Sequence, residues 1–250
     1  MIPVQGSKFP PGWIVTPTGM VPRFLEFWDS VEALRAPEGT GRGRNSGPDC
    51  DSNRNRSIRT MLTQTTAAWA LFLDDDQEFG PDTLMNMLEI MYNTQGIDVK
   101  VLTALYTRKT PPFQPVLFGD PYQTIETRMT TTELSALRKQ GNLVKVGGCG
   151  AGCLLVKREV LESVYTENEN GTKYWFSPGP NRMFGGDIGF CRLLKDSNVD
   201  VYAWLEPVGH IMPSVIRLVW SDELQTWQLE FTFGGAGFRV NFVETLRDNT

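Results

Sequence analysis

Three consecutive aspartates, Asp74, Asp75 and Asp76, follow an apolar run from Ala67 to Leu73. In open α/β sheets ligands bind beyond the carboxyl ends of the strands, so an acidic triplet at such an end faces a ligand crevice. If the chain stays extended there, Asp74 and Asp76 point the same way, because side chains alternate with a period of two. Two carboxylates held close together repel unless one takes a proton or a cation lies between them. Hard oxygen ligands suit Mg²⁺ or Mn²⁺, which bind through one or two carboxylates completed by phosphates. The other reading is a solvated acidic turn that caps the next helix, where the dipole favours negative charge. The apolar strand leading into the triplet favours metal and phosphate work.

His210 is the single histidine. It follows a second predicted strand, in Glu206-Pro207-Val208-Gly209-His210, and Gly209 permits the tight backbone that turns an imidazole inward. A lone histidine is more often a hydrogen-bonded core or surface residue. Joined to the acidic triplet it reads as a third metal ligand, better matched to Mn²⁺ than to Mg²⁺. Cys149 and Cys153 are four apart, but a zinc site needs two further ligands at metal spacing. The four cysteines (Cys50, Cys149, Cys153, Cys191) therefore read as free thiols in a reducing compartment.

The elements that must carry these groups alternate between strand and helix, which predicts an α/β fold with a mainly parallel sheet. Trp13 to Thr16 reads as a strand halted by Pro17, and Pro22 suits the first turn of a helix with Phe24, Phe27, Trp28, Val31 and Leu34 inward. Residues 36–54 break all periodicity and read as a long loop. Ile58, Met61, Leu62 and Thr65 restore helical spacing. Ala67 to Leu73 is apolar on both faces, as in a strand covered on both sides. A helix with Leu84, Met87, Leu88 and Met91 inward leads to a strand over Val99 to Tyr106. Residues 107–129 are irregular. Thr130 to Glu133 fits a capping box. Strands over Leu143 to Val146 and Cys153 to Val156 flank a glycine-rich stretch, 147–152. Helices near 158–164 and 187–194 precede the strand Val199 to Leu205. The glycine-rich stretch lacks the Gly-Lys-Ser/Thr of a phosphate-binding loop, and it reads equally as close backbone approach or as a bulged strand.

The chain has 250 residues, room for one α/β domain or two halves sharing a core. Hydrophobic residues are 40% and charged residues 21%, which excludes wholesale disorder and coiled coil. A net charge of −5 excludes a chain that binds nucleic acid over its whole surface. Arg42, Arg44, Arg54, Arg56 and Arg59 form a local basic strip that suits polymer phosphates or, more simply, a solvated loop. The longest apolar run is far below the ~20 residues that span a bilayer. No secretory leader is visible, so a cytoplasmic protein without a membrane span is expected.

Taken together, several segments resemble glycosyltransferases of the GT-A fold, close to the family-two type. Leu71-Phe72-Leu73-Asp74-Asp75-Asp76 matches the apolar strand followed by DxD. Arg54-Asn55 resembles the family's Arg-Asn pair on the nucleotide side. Gly150-Ala151-Gly152-Cys153-Leu154-Leu155-Val156-Lys157-Arg158 is similar to its GxGxLLxxR segment, which lines the acceptor side. Trp175-Phe176 followed by Gly186-Asp187-Ile188-Gly189-Phe190-Cys191 resembles WF…EDxxFC, and Val208-Gly209-His210 matches the late VGH. The family's glutamate before the aspartate is replaced here by Gly186.

The resemblance covers roughly residues 12–212. It implies a single Rossmann-like GT-A domain: a nucleotide-sugar half over about 12–106, an acceptor and catalytic half over about 107–212, and an extension over 213–250. It implies a metal-dependent transfer from a nucleotide-sugar donor to an acceptor hydroxyl. Pro17 and Thr18 would border the base, with Arg54, Asn55, Asp74 and Asp75 on the donor. Asp76, His210 and Asp74 would hold Mn²⁺ or Mg²⁺. Asp187 would be the general base if the reaction inverts, its alternative being a plain helix cap. Gly150, Gly152 and Trp175 would lie on the acceptor side. The acceptor is open between a saccharide and a hydroxymethylated DNA base. The rival functions are a sugar-phosphate nucleotidyltransferase, whose signature after the first strand is missing from Thr16-Pro17-Thr18-Gly19-Met20, and a non-catalytic nucleotide-sugar binding module. The segment after Pro213 is open between a lid, an acceptor wall and a dimer surface.

Overall fold

Gly41-Arg42-Gly43-Arg44 alternates with the period of a strand, and in the computed structural model it is one. The structure describes residues 1–18, 24–47, 49–109, 113–123, 128–177, 185–211, 215–233 and 236–241. Pro22, part of the irregular stretch 107–129 and the last residues of the chain lie outside them.

Along the chain the strands are β1 (Ile2–Val4), β2 (Trp13–Thr18), β3 (Arg35–Pro37), β4 (Gly41–Ser46), β5 (Trp69–Leu73), β6 (Gln77–Glu78), β7 (Val101–Leu105), β8 (Leu117–Phe118) and β9 (Leu143–Val146). There follow β10 (Gly148–Cys149), β11 (Cys153–Lys157), β12 (Thr166–Glu167), β13 (Lys173–Tyr174), β14 (Val201–Pro207), β15 (Gly209–Ile211), β16 (Val215–Ser221), β17 (Thr226–Phe233) and β18 (Ala236–Asn241). The helices are α1 (Leu25–Ala33), α2 (Cys50–Gln64), α3 (Thr83–Asn93), α4 (Thr131–Arg138), α5 (Arg158–Ser163) and α6 (Gly186–Asp196).

The central sheet has seven strands in the order β4-β2-β5-β11-β7-β14-β9. β4, β2, β5, β7 and β14 run one way, and only β11 and β9 run against them. The sheet is therefore mixed, with its parallel strands brought to a common carboxyl end. Every residue of β5 and of β7 is buried, as strands covered on both faces require. Two apolar cores lie against the sheet, one around Phe72, Leu154, Trp175 and Phe190, the other around Trp69, Leu71, Leu102 and Leu155. Each such fully buried side chain contributes about 1.5–3 kcal/mol.

Two expectations fail here for physical reasons. The expected loop 36–54 contains the edge strand β4 and the start of α2. Its glycines face a tryptophan ring: a Cβ at Gly41 would come within 2.3 Å of Trp13 and one at Gly43 within 2.7 Å. The alternate residues, Arg42 and Arg44, stack over Trp28 at 5.0 and 4.4 Å from the ring centre. A strand whose inward face is glycine has no apolar periodicity to read. The strand at Trp13 also runs through Pro17 to Thr18 rather than stopping. Its pairing with β5 ends at Val15, so Pro17 has only β4 beside it, where a missing N–H is tolerated.

β16, β17 and β18 form an antiparallel meander that continues through β15 onto β6, giving a second sheet in the order β18-β17-β16-β15-β6. Ile216, Leu218, Trp227 and Leu229 are buried in the first core. The capping box at Thr130 is present: Thr130 accepts from the Glu133 backbone N–H, and the Glu133 carboxylate accepts from the Thr130 N–H. The four cysteines are free.

Candidate functional site

The carboxyl ends of β2, β5, β7 and β14 bring Thr18, Asp74, Tyr106 and Val208 to one end of the sheet. The acidic triplet leaves this end in a turn, closed by the Gln77 N–H donating to the Asp74 carbonyl at 3.2 Å. Because the chain turns, period-two alternation does not apply. Asp74 pairs with Arg54, and Asp76 with His210 and Lys109.

Asp74 points to α2. Its Oδ1 accepts from Arg54 Nη2 at 2.5 Å, so this carboxylate is committed to a guanidinium. Burial pushes the Asp74 carboxyl up, against the pull of Arg54. Asp75 is buried at 6% exposure.

Asp76 points across to the second sheet. The antiparallel pair β6–β15 sets Gln77 opposite His210, and the Ile211 N–H donates to the Asp76 carbonyl at 2.7 Å. This ladder brings His210 Nε2 to 3.5 Å from Asp76 Oδ1. His210 Nδ1 lies 2.6 Å from the Thr107 carbonyl oxygen, which can only accept, so Nδ1 carries a proton and Nε2 is the ring nitrogen that faces Asp76. Lys109 Nζ donates to Asp76 Oδ2. Burial raises the Asp76 carboxyl, but His210 and Lys109 outweigh it and hold the group at about 2.

The chemistry of this donor pair fits a divalent cation. A metal-bound imidazole typically donates its other N–H to a carbonyl, as His210 does. The set is incomplete on protein alone: among the described residues no group of three or more His, Cys, Asp or Glu side chains could hold an ion. Asp76 and His210 each offer a donor atom, and Asp74 Oδ1 is paired with Arg54.

Asp187 stands in the first turn of α6, where its Oδ1 accepts its neighbour's N–H, from Ile188, at 2.9 Å. Burial raises its carboxyl, Arg54 opposes this, and the charges of Asp74 and Asp51 add to it. Arg54 thus feels Asp74 and Asp187 together and pairs with Asp51 at 3.4 Å. Arg54 Nε, Gln77 Oε1 and Thr107 Oγ1 are buried around this cluster without hydrogen-bond partners. Buried polar atoms of this kind are uncommon in native interiors, and either water or a polar ligand can meet them.

Sequence-based expectations for the remaining positions fare unevenly. Arg54 and Asn55 lie inside α2 rather than before it, because Asp49 caps the helix by accepting from Asp51 and Ser52 at 3.2 and 3.1 Å. The first turns of α2 carry polar residues to the site, which is why no apolar stripe is visible before Ile58. Asn55 is buried: its Oδ1 accepts from Trp175 and Phe176 N–H at 2.9 and 3.0 Å, and its Nδ2 donates to the Phe176 carbonyl at 2.6 Å. It positions the Trp175-Phe176 backbone, with one Nδ2 N–H not used in these three bonds. Trp175 itself is 1% exposed, with its indole N–H on the Leu161 carbonyl at 2.7 Å. It cannot wall an acceptor.

Gly150 and Gly152 answer to Tyr106, a residue the sequence did not single out. A Cβ at Gly150 would lie 2.1 Å from Tyr106 Oη, and the Gly152 N–H donates to that oxygen at 3.0 Å. These glycines make room for a buried phenol rather than for an acceptor. Pro17 is buried and Thr18 half-buried at the end of β2. Lys109 was also missed, and nothing in its sequence surroundings marks it.

No family model matches the chain, and no curated protein matches it. Among solved structures it is similar to the crystal structure of A197 from STIV, at 18% identity and a TM-score of 0.57, covering 82% of this chain and 88% of that one. At that identity the likeness concerns the fold alone: a mixed α/β architecture around a large central sheet.

Proposed function

We propose that this chain is a GT-A-type glycosyltransferase that moves a sugar from a nucleotide-sugar donor to an acceptor hydroxyl. The observation that carries the reading is the approach of Asp76 and His210 to 3.5 Å at the common carboxyl end of the parallel strands. Such a pair, with Arg54, Asp74 and Asp187 beside it, is the equipment a diphosphate leaving group and an acceptor hydroxyl need.

Asp76 and His210 would hold Mn²⁺ or Mg²⁺, with donor phosphates completing the shell. The bound cation supplies neutralisation of the charge that develops on the diphosphate as the glycosidic bond breaks. Thr107 keeps the His210 ring oriented with Nε2 towards Asp76. Arg54 holds Asp74 at the end of β5 and lends positive charge to the anionic donor. Asp187 takes the proton from the acceptor hydroxyl in an inverting transfer; its burial lifts its basicity above that of a solvated aspartate.

A second reading has one specific observation in its favour. The Lys109 ammonium already sits on Asp76 Oδ2, so the chain carries a cation of its own at this carboxylate. On that reading Lys109 meets the diphosphate and transfer proceeds without metal. Calorimetric titration with a panel of UDP- and GDP-sugars, with and without Mn²⁺, tests both, with products followed by mass spectrometry against saccharide and hydroxymethylated-DNA acceptors. Tight binding and turnover only with Mn²⁺ support the first reading, and equal turnover in chelator supports the second. Failure of every nucleotide-sugar to bind sinks both.

A further inference from the structure

Helix α6 begins at Gly186, one residue before Asp187, and its N-cap Gly185 provides no side-chain acceptor. The missing acceptor comes from another helix. Asp51, in the first turn of α2, accepts the Gly186 N–H on Oδ2 at 3.1 Å. Its Oδ1 lies 3.4 Å from Arg54 Nη1, and Arg54 in turn holds Asp74. The carboxylate also fills the volume that a side chain at 186 would need: a Cβ there would fall 2.2 Å from Oδ2, 2.3 Å from Cγ and 2.5 Å from Oδ1 of Asp51. At such distances the carboxylate must move before alanine is admitted, and that movement gives up its hold on the Gly186 N–H. A carboxylate at a helix N-terminus gains further from the helix dipole.

We propose that Asp51 is a positioning residue for Asp187. It closes the first turn of α6 from outside and so fixes the turn on which Asp187 stands, and its presence is the reason position 186 is glycine. The inference rests on the glycosyl-transfer reading for the role of Asp187, but the coupling between positions 51 and 186 is independent of that reading.

Five variants test it: Asp51→Ala, Asp51→Asn, Asp51→Gly, Gly186→Ala, and Gly186→Ala combined with Asp51→Gly. The assay is turnover of the UDP- or GDP-sugar that binds the wild-type protein, with its Kd read by calorimetry. Misplacing a catalytic group by about 1 Å costs on the order of 100-fold. Asp51→Ala should therefore lower kcat by roughly 10- to 100-fold while the donor Kd stays within about two-fold. Asp51→Asn keeps an oxygen that accepts the Gly186 N–H and should recover most of the rate. Gly186→Ala should cost as much as Asp51→Ala in the wild-type chain and nothing further beside Asp51→Gly. Additive losses at the two positions, or a loss explained wholly by weaker donor binding, would overturn the proposal. The same cycle is read without turnover from urea unfolding midpoints: Gly186→Ala should lower the midpoint only when Asp51 is present. Absence of that coupling overturns the inference whatever the activity. Coupling in a chain that turns over no nucleotide-sugar sinks the transfer reading alone.

Discussion

Asp76 and His210 face each other at 3.5 Å because one two-strand ladder, β6 with β15, joins the chain immediately after the acidic triplet to the chain immediately after β14. The second sheet is thus the frame of the site as well as a cover for the core. Its remaining strands anchor that ladder through Ile216, Leu218 and Trp227, all buried. A change in the meander that loosens β15 should reach the Asp76–His210 pair without touching either residue.

If Asp76 and His210 hold the cation, removing either should abolish the response to metal. Asp76→Ala and His210→Ala are each expected to lower Mn²⁺-dependent kcat/KM by about 100-fold or more, in the range seen when catalytic electrostatic groups are deleted. Mn²⁺ titration of activity, with circular dichroism to check folding, measures it. A variant that keeps the wild-type Mn²⁺ dependence would remove that residue from the site.

On the metal-dependent reading Lys109 would compete with the divalent cation for Asp76, since its ammonium donates to Oδ2. Lys109→Met should tighten Mn²⁺ binding by about ten-fold, the equivalent of roughly 1.4 kcal/mol. If Lys109 instead meets the diphosphate, the same variant weakens donor binding in chelator and leaves Mn²⁺ affinity unchanged. Calorimetry on the one protein separates the two outcomes.

Asn55 should behave as a structural residue. Asn55→Leu leaves two buried backbone N–H groups and one carbonyl at Trp175 and Phe176 without their partner. Each unsatisfied group costs about 1–3 kcal/mol, so a loss of at least about 2 kcal/mol is expected. Urea unfolding measures it. A change below about 0.5 kcal/mol would show that the segment finds other partners.

Much of the frame was legible in the sequence because burial leaves a pattern. The run ending at Leu73, the stripe of Leu84, Met87, Leu88 and Met91, and the capping box at Thr130 all appear where their spacing puts them. What was not legible depends on contacts between distant stretches. Gly41 and Gly43 form a strand only because Trp13 lies over them. The glycines at 150 and 152 answer to Tyr106, and Trp175 is oriented inward by Leu161. In the site, residue types were readable and partnerships were not. The triplet announced carboxylates, yet a turn sends Asp74 to Arg54 and Asp76 to His210 and Lys109.

Gly41→Val tests the tryptophan contact directly. The added side chain would drive into the Trp13 ring, so overpacking should cost about 1–3 kcal/mol and loosen the edge strand. Thermal unfolding and hydrogen exchange at β4 read both effects. Unchanged stability would mean that the ring moves aside freely.

Asp76 and Asp187 should pull stability in opposite directions with pH. The Asp76 carboxyl is held at about 2, below the ~3.9 of an unfolded chain, by His210 and Lys109 against the upward push of burial. Its contribution is therefore fully present above about pH 4 and is lost as pH falls from there towards about 2. The Asp187 carboxyl is raised, first by burial. The folded chain then holds that proton more tightly than the unfolded chain, so stability falls as pH rises from about 4 through the raised value, and it stays reduced above it. Asp76→Asn should accordingly destabilise the protein near neutrality and matter less in acid. Asp187→Asn should stabilise it near neutrality, with the gain fading towards about pH 4. Urea midpoints of both variants and the wild type, taken across this range, decide the matter. An Asp187→Asn protein that is less stable than wild type near neutrality would show that Arg54 compensates the buried charge in full.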